Sequence, residues 1–333
     1  MRHPGLIDSM SAAEIDASTW QHHRWLNRLQ SAALLLFMGA FLALLGWLLW
    51  GGSGVLMLLF AGLTGVVLNP ALSPRWVMRL YGARRLTPDL APALWRVLGL
   101  LAERAGLQQV PALHYVPSRV LNAFAVGSPR QSAIAVTDGL LRRLSDRELL
   151  GVLAHEMSHI RNNDLWVMGL ADIFSRMTSL LSLFGQMLLI VNLPLVLIGA
   201  GAFNWWAIAL LILAPNLSAL AQLALSRTRE YDADLNAVAL TGDPEGLASA
   251  LARIERVQGG WMERILLPGR RVPEPSLLRT HPHTDDRIRR LLELRPAAPR
   301  LAQRLDGFGG PAVDLHGRPV TRSPRWHVTG LWH

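Results

Sequence analysis

The chain has 333 residues, of which 51% are hydrophobic and only 17% charged, a balance that excludes an ordinary soluble protein. It has no cysteine, which excludes disulfides, thiolate zinc sites, iron–sulfur ligation and cysteine nucleophiles, and leaves any metal to histidines and carboxylates. The formal net charge is +9 and all 33 basic residues are arginine, so what they bind depends on where they stand.

Residues 1–30 form a polar N-terminal segment. Asp8, Glu14 and Asp16 precede the first apolar run and no small-residue cleavage site follows it, which argues against a secretory signal. His22 and His23, adjacent in sequence, cannot share one helix face and fit an interfacial position beside Trp20 and Trp25 better than a metal site. From residue 29 to residue 74 there is no Asp, Glu, Lys or Arg, and Gly51-Gly52-Ser53-Gly54 interrupts this block as a tight turn. The block, 31–72, predicts a helical hairpin with arms over 31–50 and 55–71, each near the roughly 20 residues that cross a hydrocarbon core of about 30 Å. Trp47, Trp50 and Trp76 lie where interfacial aromatics lie.

Residues 73–175 read as a globular segment. It begins with a helix over 92–105, followed by short strand-like runs at 113–116, 123–126 and 133–137. The last two are joined by a turn-rich Gly127-Ser128-Pro129-Arg130-Gln131 link. Ser145-Asp146-Arg147-Glu148 is a capping box that starts a helix running to about residue 162. A second uncharged block, 176–225, predicts another hairpin with arms over 177–198 and 204–225, parted near Gly199-Ala200-Gly201. Pro194 and Pro215 inside the arms are better tolerated in a bilayer than in water. Asp172 and Arg176, one turn apart at its foot, read as a structural ion pair.

Residues 226–293 return to polar helix, reset at Gly242-Asp243-Pro244, with a further helix after Asp285. The Pro/Gly/Arg-rich extension 294–333 has the composition of a mobile tail, with Trp326 and Trp332 as possible points of docking. The arginines can now be placed. Arg24 and Arg28 precede the first arm, Arg75, Arg79, Arg84 and Arg85 follow the second, and both inter-arm turns are uncharged. This pattern marks membrane topology and argues against nucleic acid as a partner. By the positive-inside rule both termini and the polar segments face the cytoplasm, across an inner (plasma) membrane crossed several times.

The chemistry concentrates on the capped helix, in His155-Glu156-Met157-Ser158-His159. Histidines at i and i+4 share one helix face and can share one metal, while Glu156 beside them can reach a water activated there. A catalytic zinc keeps three protein ligands and one open position, so a third donor is required downstream. Arg229-Glu230-Tyr231-Asp232-Ala233-Asp234 supplies it, with Glu230 for the metal and Asp234, one helical turn on, to accept from a ligand imidazole.

His155-Glu156-x-x-His159, Glu230-x-x-x-Asp234, Asn122-Ala123-Phe124 before them and His281-Pro282 after them resemble the HtpX-type membrane zinc metalloproteases, relatives of the CAAX prenyl endopeptidases. The resemblance covers about residues 30–293, including the hairpin between the second histidine and the glutamate, and the extension beyond inherits no role from it. It implies one Zn2+ per chain on His155, His159 and Glu230, Glu156 as general base and proton donor, and Asp234 orienting a ligand. It further implies an edge strand over Asn122, Ala123, Phe124, Ala125 and Val126 that receives an extended substrate, and His281 stabilising the oxyanion. Where the family often has a second proline this chain has His283, which therefore inherits nothing.

The expected protein is thus an α-helical membrane protein with four transmembrane helices in two hairpins. It carries a cytoplasmic zincin-type α+β catalytic domain, mostly helical with a small β-sheet, assembled from the two polar segments. Its expected activity is that of a zinc metalloendopeptidase acting on membrane or misfolded polypeptides in protein quality control. Two rivals are weaker. An intramembrane site-2-type protease would bury Asp146, Arg147, Glu148, Arg161 and Asp164 at bilayer depth, where charge is costly. A non-proteolytic scaffold or channel with a structural metal would fill four protein positions and have no use for Glu156.

Overall fold

The computed structural model describes residues 17–67, 73–194, 205–258 and 284–294. His281, the turn expected around 199–204 and the extension beyond Leu294 lie outside them. In chain order the elements are α1 (Ala17–Val67), α2 (Pro74–Leu80), β1 (Arg84–Arg85), α3 (Pro92–Ala105), β2 (Ala112–Val116), β3 (Ala123–Ser128) and β4 (Gln131–Thr137). After them come α4 (Asp138–Arg143), α5 (Asp146–Arg161), α6 (Asp164–Val191), α7 (Trp205–Thr241), α8 (Pro244–Gln258) and α9 (Thr284–Glu293). The chain divides into two compact units: residues 26–70 and 166–228 form one, and the residues outside those bounds form the other.

The first of these units is apolar. Among the described residues, three helices are long and apolar enough to cross a membrane: Trp25–Gly65 within α1, Asp164–Val191 and Trp205–Thr241. α1 is not a single rod, because Gly51 leaves helical geometry at φ 63° and ψ −148°. That left-handed φ suits glycine, which lacks the Cβ that would clash there. Beyond it the chain doubles back, so that Leu58 shares a buried cluster with Leu45 and Leu42. On a straight helix residues 45 and 58 would stand about 20 Å apart. Gly46 and Gly54 permit the close approach, since a Cβ on Gly54 would collide with the Gly46 carbonyl.

The arms of this unit meet through small and polar contacts. Gly65 faces Ile173, Gly62 faces Met177 and Gly39 faces Phe174. Pro215 lies inside α7 and has no N–H for the carbonyl of Leu211. The Ser182 hydroxyl of α6 donates to that carbonyl at 2.6 Å, and Gln186 Nε2 donates to Ser182 at 2.9 Å. A proline tolerated inside an apolar helix is one whose orphaned acceptor has found another donor.

The helices around the second uncharged block overrun the arms expected from charge alone. α6 starts at Asp164 rather than 177, and α7 runs without a break to Thr241 rather than stopping near 225. Absence of charge delimits what tolerates lipid, whereas the helix itself ends only where a breaker such as Gly242 (φ 69°) stands.

In the polar unit a four-stranded mixed sheet has the order β1-β2-β4-β3, with β2 parallel to β4 and the outer pairs antiparallel. β3 and β4 are longer than their apolar runs and close a hairpin in which only Pro129 and Arg130 are unpaired. α3 begins with Pro92 at its first turn, ends at Gly106 in left-handed conformation, and turns Leu94, Leu98 and Leu101 to the core. α5 begins with the expected capping box: Ser145 and Glu148 bond each other's backbone N–H. Leu149, Leu150 and Leu153 of α5, Ala123 and Ala125 of β3, and Leu247 and Ala248 of α8 share the main buried cluster. α5 and α8 approach so closely at Gly151 that a Cβ there would stand 3.0 Å from Leu247 backbone. The helix bearing the His-Glu-x-x-His motif is thereby held between a strand and a helix.

Candidate metal centre

α5 and α7 bring the three expected donors together. His155 Nε2 and His159 Nε2 are 3.1 Å apart, Glu230 Oε2 is 3.4 Å from His155 Nε2, and Glu230 Oε1 is 3.7 Å from His159 Nε2. Two ligands each about 2.0–2.1 Å from a tetrahedral zinc stand about 3.3–3.4 Å from each other, and the 3.1 and 3.4 Å spacings about His155 Nε2 are close to that. Among the described residues these three form a group able to hold a metal. Two nitrogens and a carboxylate oxygen suit zinc and other divalent transition metals.

Each imidazole is oriented from behind. His155 Nδ1 lies 3.0 Å from Asp234 Oδ1, the contact expected from the Glu230-x-x-x-Asp234 spacing. His159 Nδ1 lies 2.9 Å from Asp164 Oδ2, at the first residue of α6. Both carboxylates are themselves clamped by buried arginines. Arg229 Nε stands 2.9 Å from Asp164 Oδ1, and Arg287 Nε and Nη2 donate to Asp234 at 2.7 and 2.7 Å. Two arginine–aspartate–histidine relays therefore converge on one point, and a fixed Nδ1 leaves each Nε2 for the metal.

The electrostatics favour positive charge there. Burial works against an imidazolium at His155, yet hydrogen bonds to Asp234 and Glu230 outweigh it and lift its pKa to about 10. His159 is raised likewise, burial being outweighed by Asp164. Burial would raise Asp234, but Arg287 and then His155 hold it below the ordinary carboxylate range. A pocket that draws protons onto two imidazoles against the cost of burial would receive a divalent cation on the same terms.

The other expected residues fall as follows. Glu156 follows His155 on α5, is half-buried, and lies near enough to Arg287 for its charge to stabilise the guanidinium. Asn122 through Val126 run into β3, an edge strand of the sheet packed against α5. The Asn122 carbonyl accepts from Thr137 N–H at 3.0 Å, and Phe124 pairs with Ala135 two residues on. By antiparallel alternation, Ala123 and Ala125, both buried, turn their N–H and C=O groups to the side away from β4. His281 is outside the described residues. Asp164, Arg229 and Arg287 are site residues that motif reading passed over. The one sequence signal for Asp164 is its place five residues after His159 at a helix start, and for Arg287 there is none beyond its nearness to His281.

Comparison with known proteins agrees with this geometry. The pattern of Peptidase family M48 matches residues 88–295, which take in both halves of the centre. A protease HtpX homolog of Acaryochloris marina is 36% identical over 296 residues, covering 81% of this chain and 95% of the relative. One from Pyrococcus furiosus is 35% identical over 284 residues, covering 80% and 95%. One from Desulforapulum autotrophicum is 34% identical over 286 residues, covering 80% and 89%. Matched by this family over more than half of its length and by these relatives over about four fifths of it, the chain belongs to peptidase family M48 and is an HtpX-type metallopeptidase.

Proposed function

We propose that the protein is a zinc-dependent endopeptidase, one Zn2+ per chain, that cleaves membrane or misfolded polypeptides in protein quality control. The observation that carries this is the single-ion triangle of His155, His159 and Glu230 with Glu156 next to it on α5. Zinc bound there would polarise the scissile carbonyl and lower the pKa of water toward about 7. Glu156 takes the proton from the attacking water and delivers it to the leaving amine nitrogen, so no covalent enzyme intermediate is needed. Ala123 and Ala125 offer outward backbone groups to an extended substrate, which adds a strand to β3 with affinity from the main chain and little side-chain preference. His281 donates to the oxyanion. That role stands on the resemblance of its Thr280-His281-Pro282 context.

In this reading the apolar unit crosses an inner (plasma) membrane four times, as the two hairpins read from the sequence over 31–72 and 176–225. The reversal at Gly51 and the two long apolar helices α6 and α7 support it. The zincin-type catalytic domain, built from 73–175 and 226–293, is cytoplasmic with both termini. Metal analysis of the purified protein paired with casein digestion in detergent tests the function. Wild type should carry one zinc and digest casein. Glu156→Gln should keep the zinc and lose about 10²–10⁴-fold in turnover, the contribution of a positioned acid–base group. Unchanged turnover in a zinc-replete Glu156→Gln protein would sink the mechanism.

A further inference from the structure

The short helix α2 has two faces of opposite character. Met78 and Tyr81 are buried with Val116, Val126, Ala133 and Ala135 of the sheet, and the Tyr81 ring stands 4.7 Å from that of Phe124. The other face is exposed. Arg75 and Arg79 stand one turn apart on it, and so do Trp76 and Leu80, at 62% and 42% exposure. After the helix, Gly82 at φ 58° lets Ala83 N–H reach back to the Met78 carbonyl at 2.9 Å, and the chain passes straight into β1.

β1 adds a third arginine to this side of the sheet. Arg84 lies opposite Tyr115 and Arg85 opposite His114, and directly opposed residues of an antiparallel pair share a face. Tyr115 belongs to the cluster that α3 and α5 fill, whereas Val116, its neighbour along β2, belongs with Met78 and Tyr81. Arg84 is therefore on the α3 side and Arg85 on the α2 side. Among the described residues, no carboxylate forms an ion pair with Arg75, Arg79 or Arg85. These cations lie with an indole and a leucine on a helix that is fastened to the sheet and begins where the uncharged block ends.

Arginine beside tryptophan suits the surface of an anionic bilayer: the guanidinium donates in a fork to phosphate oxygens, and the indole sits at headgroup level. An acidic polypeptide would also answer the arginines, but the apolar block that runs up to α2 favours lipid. We propose that the face formed by Arg75, Trp76, Arg79, Leu80 and Arg85 binds the phosphate headgroups of anionic phospholipids. This rests on the membrane reading of the apolar unit and goes beyond it. Sidedness needs only arginines near a span, whereas this face selects one class of lipid.

The test uses full-length protein in phospholipid nanodiscs. The chain has no cysteine, so Leu80→Cys carries a single fluorophore on this face. Phosphatidylglycerol and phosphatidylcholine, brominated near the headgroup end of their chains, quench a fluorophore that they touch. At equal amounts, brominated phosphatidylglycerol should quench several-fold more strongly, and the preference should vanish in about 1 M salt, where the screening length is about 3 Å. Arg75→Gln/Arg79→Gln should abolish the preference, and Trp76→Ala should reduce quenching by either lipid. Arg84→Gln/Arg96→Gln removes as much charge from the α3 side and should leave the preference intact. Equal quenching by the two lipids, or equal loss in the two double variants, would overturn the proposal. Polyglutamate that displaces phosphatidylglycerol at equal charge would overturn it in favour of an acidic polypeptide. If the Arg75→Gln/Arg79→Gln protein does not fold, the lipid preference and its salt dependence in the labelled protein decide. Failure of that protein to enter nanodiscs would overturn the membrane reading beneath it.

Discussion

Asp164 shows how much of the centre is held by residues that touch no substrate. It accepts from His159 Nδ1 at 2.9 Å and is paired with Arg229 at 2.9 Å, with only 3% of its side chain exposed. Asp164→Asn keeps the size of the side chain but removes the charge that favours Nδ1–H, and it leaves the Arg229 guanidinium buried against a neutral amide. Metal affinity should fall about 10–100-fold, the usual cost of losing an outer partner of a ligand. Competition with a chromophoric chelator checks this, and a wild-type dissociation constant would show that His159 is oriented by something else. The histidine pair of the candidate centre was readable from residue type and spacing, because i, i+4 histidines must share a helix face whatever the rest of the fold does. Asp164, Arg229 and Arg287 were not, since a bridge between residues 53 positions apart, as from Asp234 to Arg287, leaves no periodic trace.

At the scale of elements, α5 owes its start to one carboxylate. Burial works against the charge of Glu148, but hydrogen bonds from Ser249 and from the Ser145 backbone and hydroxyl outweigh it and hold its pKa below the ordinary 4.5. A depressed carboxyl stabilises the fold at any pH above its unfolded value, and that contribution disappears as pH falls through the lowered one. Acid should therefore loosen the start of α5 selectively. Comparing the acid unfolding midpoints of wild type and Glu148→Gln checks it: the wild type alone should lose this increment below about pH 4.5, and parallel acid curves would contradict it. The cap and helix α3 were evident in the sequence because breakers and caps act locally. The extents of α6 and α7 were not, because charge marks where lipid tolerance ends and says nothing of where hydrogen bonding stops. The edge position of β3 was visible only through the family resemblance, since strand order is set by contacts remote in sequence.

At the scale of the whole molecule, the proposed topology makes a sharp statement about sides. Alkaline phosphatase and fluorescent-protein reporters fused after Arg85 and at His333 should both report cytoplasm, and fusions within Gly51–Gly54 or near Gly201 the opposite side. A periplasmic signal from the Arg85 fusion would reverse the orientation and with it the cellular location of the substrates.

The order in which the centre's residues occur along the chain has a consequence for biosynthesis. His155 and His159 emerge from the ribosome first, Glu230 only after the second apolar block, and Arg287 later still. The core around α5 is likewise completed by Ala237, Leu240, Leu247 and Leu291. A nascent chain thus lacks the finished candidate centre until its last helices have been made. Any activity of the proposed centre therefore arrives late in synthesis, once the segments that complete it have emerged.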